Sequence, residues 1–176
     1  MKVYITDLEA YNNGSLVGSW YELPMHEDQL AESIENELQR GKAVCGSEHY
    51  HEEYFITDFE CDYMNIDEYD SLTKLNEIAQ KMEELEEHER KAVKLLLENH
   101  LTENIDDAIE NIDNLICTNE SNMEDVAFSY IQESSSIENI PESLQYYFDY
   151  ESLGRDMEIN GWYITDDENI IWEHIG

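Results

Sequence analysis

Basic residues are what this chain has least of. Nine Lys and Arg stand against 43 Asp and Glu in 176 residues, a formal net charge of −34. Binding nucleic acid or an anionic membrane surface requires a basic face, and nine bases cannot build one against that background. The partners such a charge favours are cations, or a protein with a strongly basic groove. Proline (2) and glycine (7) are scarce as well. With 41% hydrophobic residues, 12 Tyr, 3 Trp and 4 Phe, the composition excludes a disordered acidic tail, which is poor in aromatics. No apolar run reaches the ~18 residues of a membrane span. The opening Met1-Lys2-Val3-Tyr4-Ile5-Thr6-Asp7 lacks the apolar core of a signal peptide. Cys45, Cys61 and Cys117 are odd in number and far apart, which reads as reduced thiols. The expectation is a folded cytoplasmic protein.

Catalytic and metal signatures are missing too. There is no Gly-rich phosphate loop, nucleophile elbow or HExxH. With 43 acids some pair always stands at glycosidase spacing, so a pair carries no information, and no segment stands out as a pocket that would shift a pKa. His49-Tyr50-His51 is the one close histidine pair, and Cys45 nearby does not complete a zinc spacing. Residues 62–70 and 166–169 are acid-rich but lack the sharp-turn glycine of a calcium loop. The chain therefore reads as a binding protein rather than an enzyme, with no cofactor and no metal. The alternative is an acidic calcium-binding or salt-adapted soluble domain.

Periodicity gives an α+β order of elements. Residues 2–8 alternate as a strand, 15–23 read as a second and 53–59 as a third. Pro24 opens a helix carrying Leu30, Ile34 and Leu38, with Gly41 as its stop and 42–51 as a loop. Residues 71–85 and 86–100 are helical. A third helix is expected over 104–115, with Ile105, Ile109, Ile112 and Ile116 as one core face and Asp106, Asp107, Glu110 and Asp113 as a continuous carboxylate stripe opposite. A short strand follows at 115–118, then a capping box at 121–124 opening a helix that breaks at 134–136. Pro141 sits at N1 of another helix, carrying Leu144, Tyr147 and Phe148. Residues 159–165 and 169–175 form a hairpin across 166–168. The expected domains are 1–61 (ββαβ), 62–103 (helical) and 104–176 (α+β).

The charge is unevenly placed. Residues 95–154 hold 14 carboxylates and no base, and 43–73 hold nine with no base. Net charges of about 2–8 are enough for solubility in a small domain, and more costs stability through self-repulsion. B-DNA carries one negative charge per about 1.7 Å of axis, and acids four apart on a helix are spaced about 6 Å along it. Short acidic elements thus approximate a phosphate array, and −34 matches about 17 base pairs.

Val3-Tyr4-Ile5-Thr6-Asp7-Leu8 followed by Gly14-Ser15-Leu16-Val17-Gly18-Ser19-Trp20 resembles the start of the ArdA antirestriction proteins. Glu53-Tyr54-Phe55-Ile56-Thr57-Asp58-Phe59-Glu60 fits the same family. So do Asp125-Val126-Ala127, Pro141-Glu142-Ser143-Leu144, Phe148-Asp149-Tyr150-Glu151 and Gly154-Arg155-Asp156, in order over nearly the whole chain. The resemblance implies a DNA mimic from a mobile genetic element that occupies the DNA-binding groove of Type I restriction–modification enzymes. It also implies three small domains in a row, elongated and curved, in a homodimer joined through the C-terminal region. Such proteins carry no catalytic residues. Function would rest on distributed carboxylates, placed here chiefly at Asp106, Asp107, Glu110, Asp113, Glu120, Glu124 and Asp125, with Arg155 expected to pair with a nearby acid such as Asp156.

Overall fold

Strand β1 (Lys2–Asp7) is the centre of the first sheet, between β2 (Gly18–Glu22) and β3 (Tyr54–Glu60), both antiparallel to it. The computed structural model describes residues 1–46, 50–118, 120–134, 136–164 and 171–175. Alternation along β1 sorts its side chains as strand geometry requires. Val3 and Ile5, both fully buried, enter a core with Leu23, Leu30, Ile56 and Ile66. On the other face Tyr4 meets Trp20 edge to face, ring centroids 5.4 Å apart. Between Tyr4 and Ile5 the pairing with β3 skips a residue. The skipped Thr57 bonds the Thr6 hydroxyl at 2.8 Å. Asp7 then caps a short helix, α1 (Leu8–Asn12), its Oδ1 accepting from the Ala10 N–H at 2.6 Å.

Helix α2 (Glu27–Cys45) begins at His26 rather than at Pro24, and Gly41 does not stop it. Gly41 is buried within the helix, where a Cβ would run into the Asp7 carboxylate. The helix ends instead at Gly46, whose φ of +96° suits glycine. Residues 42–45 of the expected loop are thus helical. Helices α3 (Leu72–Glu84, capped by Ser71) and α4 (Glu87–Glu98) match their periodicity. Leu72, Leu75 and Ala79 of α3 pack into the same core as β1.

The chain divides into two compact units, Met1–Glu98 and Asn99–Gly176. The second holds α5 (Ile105–Glu110), a 3-10 turn (Ile112–Asn114), β4 (Leu115–Cys117), α6 (Met123–Glu133), a second 3-10 turn (Ser136–Asn139), α7 (Glu142–Gln145), α8 (Tyr150–Ile159), β5 (Trp162–Ile164) and β6 (Ile171–His174). Its antiparallel sheet runs β4-β6-β5. Met123, Val126 and Ala127 of α6, Met157 of α8 and Ile171 form its core. Gly154 lets α8 approach α6, since a Cβ there would meet the Met123 carbonyl oxygen at 2.5 Å.

The α+β class stands, with two small three-stranded antiparallel sheets. Several local expectations change. The helix over 104–115 breaks at Asn111, whose side-chain amide donates to the Asp107 carbonyl (2.8 Å) and carboxylate (3.0 Å), a local bond that competes with helix continuation. Ile105 is buried, but Ile109 and Ile112 are half-buried and Ile116, now on β4, is 48% exposed. The four isoleucines therefore do not form one core face. The cap of α6 is Asn122, one residue later than the expected box. Pro141 is the N-cap of a four-residue helix, and Leu144 and Tyr147 point to solvent. Helix α8, capped by Asp149, was not among the expected elements. β5 and β6 pair as the expected hairpin; its turn, 166–168, lies outside the described residues, as does Asn169.

Candidate partner-binding surface

The second unit contains nineteen carboxylates and one Lys or Arg, Arg155. That base is engaged locally: its Nη2 lies 3.6 Å from Glu151 and donates to the Ser152 hydroxyl at 3.4 Å. The partner is Glu151, one turn away, rather than the adjacent Asp156. In the first unit Lys2 holds Glu60 (3.0 Å), Arg40 holds Glu37 (2.7 Å), Lys91 holds Glu87 (3.4 Å) and Lys94 holds Glu98 (3.8 Å). These five of the nine bases sit against acids of their own unit, which leaves the carboxylates elsewhere in large excess.

The seven predicted site residues all fall in the second unit, on several elements rather than one stripe. Asp106 and Glu110 are exposed on α5, Asp113 on the 3-10 turn and Glu124 in the first turn of α6. Asp107, Glu120 and Asp125 are held by bonds within the unit. Asp107 is half-buried and accepts from the Glu103 N–H (3.1 Å) and the Asn111 amide. Glu120 accepts from the Ser129 hydroxyl (2.7 Å). Asp125 accepts from the Asn122 amide (2.6 Å) while Asn122 caps its N–H (2.9 Å). These bonds aim the carboxylates, so the surface is partly preorganised. Asp149 belongs to the same set: the Ser152 N–H and hydroxyl hold it below the usual carboxylate range.

Helix ends separate acids that help the fold from acids that do not. Asp106, Asp107, Glu124, Asp125 and Glu151 lie in first turns, where the helix dipole favours negative charge. Glu110 ends α5, Glu133 ends α6 and Glu158 is next to last on α8. All three are exposed. No base occupies the last turn of any of these helices, where a cation would stabilise. Glu133 and Glu158 were missed by the sequence reading. The signal available was an acid at a helix C-terminus, usable only once the helix ends are known.

Other candidates resolve differently. His49 lies outside the described residues, and His51 Nδ1 sits 2.8 and 3.0 Å from the Asp7 carboxylate oxygens, with both side chains buried. Among the described residues no three His, Cys, Asp or Glu side chains converge as a metal site, and no described helix is long and apolar enough to cross a membrane.

Fold and surface together define a folded polyanion: two α+β units whose carboxylates far outnumber the bases that could answer them. The chain belongs to the ArdA family of antirestriction proteins, whose family model, described as antirestriction protein (ArdA), matches residues 3–171. None of the curated proteins compared with it matches the chain. Membership makes it an antirestriction protein, and restriction enzymes are what proteins of this family act on.

Proposed function

We propose that this protein is a DNA mimic that occupies the DNA-binding groove of Type I restriction–modification enzymes and so shields incoming DNA. The observation that carries the reading is the placement of acid in the second unit: nineteen carboxylates to one base, with acids retained at helix C-termini where they oppose the dipole. Local stability explains the first-turn acids but not these. A basic groove that binds duplex phosphates answers both kinds at once. The seven residues Asp106, Asp107, Glu110, Asp113, Glu120, Glu124 and Asp125, with Glu133 and Glu158, are the carboxylates assigned to that contact.

The same reading includes an elongated homodimer joined through the C-terminal domain, with 1–61, 62–103 and 104–176 as successive segments of the mimic, acting in the cytoplasm. Two chains would match roughly 34 base pairs of charge. Competition is the direct test. A Type I methyltransferase core titrated with labelled duplex and this protein should bind one or the other, with affinity falling as salt rises. A ternary complex with both in one groove overturns the reading. A radius of gyration near the ~16 Å of a compact 176-residue chain overturns the elongated dimer.

A further inference from the structure

An open groove between α2 and α3 in the first unit, about 460 Å³ in volume, has a different character from the carboxylate surface. Its apolar lining is the buried Leu30, the half-buried Ile34 and Met25, and the exposed Ala31. Glu27 from the first turn of α2 and Glu77 from α3 stand at its exposed edge, with His26 and Gln80 beside them. Asn76 fixes its shape. Its amide donates to the Met25 carbonyl at 2.9 Å and its Oδ1 accepts from the Met25 N–H at 2.8 Å. That pair of bonds ties α3 to the segment entering α2 across 51 residues of sequence. Asp28, Glu32 and Glu35 continue the negative charge along α2, while Lys74 and Lys81 lie on the neighbouring face of α3.

An apolar lining beside exposed carboxylates suits one kind of side chain: an aliphatic stem with a cationic head. A neutral apolar group would make no use of the exposed carboxylates, and an anion would be repelled by them. A simple phosphate array has no such socket, because phosphates offer charge without an apolar lining. We propose that the α2–α3 groove receives one long basic side chain, Arg or Lys, from the DNA-binding groove of the restriction enzyme. Its stem lies on Leu30 and Ile34, and its head meets Glu27 and Glu77. The inference rests on the mimic reading and adds to it a point of shape recognition, by which this protein differs from the DNA it replaces.

The test fills the groove without changing charge. Ala31→Trp fills it from α2 and Thr73→Tyr from the opposite wall. Gln39→Trp adds the same bulk to α2 at a position that does not line the groove. Each variant is titrated against the Type I methyltransferase core at low and high salt, with circular dichroism to confirm the fold. Both filling variants should lose about tenfold in affinity, the size of a buried anchor contact. Part of the loss should persist at high salt, because the stem contact is apolar while the pairing of the head with Glu27 and Glu77 is screened, and Gln39→Trp should bind like wild type. Filled variants that bind like wild type overturn the socket while leaving the mimic standing. So does an equal loss in Gln39→Trp, or a loss that vanishes at high salt. A wild-type protein that does not exclude duplex overturns the mimic reading itself.

Discussion

Two carboxylates sit at the bottom of the first unit rather than on its surface: Asp7 is 0% and Glu37 1% exposed. Both are held by partners, as buried charge must be. Glu37 receives two bonds from Arg40 Nη1 at 2.7 Å and one from the Tyr21 hydroxyl at 2.5 Å. Burial, with the Glu37 bond and charge behind it, pushes the Tyr21 phenol from 10.0 up to about 12. The folded state therefore keeps a proton that the unfolded chain loses first, and stability from this group is complete below pH 10 and falls towards pH 12. Urea titrations across that window should show the decline, and Tyr21→Phe should flatten it relative to wild type. Asp7 is bonded by His51 and the Ala10 N–H and depends on Gly41 for room rather than for a bond. Gly41→Ala drives a methyl into the Asp7 carboxylate and should destabilise by about 1–3 kcal/mol, read as a lower urea midpoint with unchanged slope. An unchanged midpoint would show that α2 has room to move.

Acids at helix ends give an element-scale prediction in which stability and function move in opposite directions. Glu133 and Glu158 sit in the last turns of α6 and α8, unopposed by any base there. Removing charge at that position relieves an unfavourable dipole interaction of about 0.3–1 kcal/mol. Glu133→Gln and Glu158→Gln should each raise the melting temperature slightly while weakening inhibition of a Type I enzyme. Gains in stability with full inhibition would place these residues outside the contact. The elements themselves were unequally legible. α3 and α4 follow strong apolar periods and appear where expected. The helix expected over 104–115 fails because Asn111 prefers its own bonds to Asp107, a choice that depends on rotamer geometry rather than on apolar spacing. α8 was not expected, although Leu153 and Met157 stand one turn apart and pack, with Tyr150, on the core of the second unit.

Across the whole molecule the candidate interaction is spread over many exposed groups, each worth about 0.2–1 kcal/mol. Asp106→Asn alone should change inhibition by only a few-fold. Neutralising Asp106, Glu110, Asp113 and Glu124 together should weaken it cumulatively, roughly additively in free energy for sites without shared partners. Ala108→Asp serves as the contrasting variant: Ala108 is fully buried in α5, and an unpaired charge there should unfold that element. Inhibition titrations with circular dichroism distinguish the two behaviours. Abolition by one neutral substitution on a folded protein would sink the distributed mechanism and point to a discrete site.

Composition alone determined the charge and the want of bases, because these are sums over residues and need no coordinates. Order along the chain determined the α+β class, the helices with strong periods and the resemblance that the family match bears out. Tertiary structure decided which carboxylates serve the fold and which remain outside. Asp7 is buried through His51, 44 residues away, and Glu37 through Tyr21, 16 residues back. It also decided that Gly41 is a close-packing residue rather than a stop, and that the seven candidate acids lie on separate elements. The reason is physical: charge and periodicity are local properties of sequence, whereas burial and hydrogen-bond partners are set by contacts between segments that folding brings together.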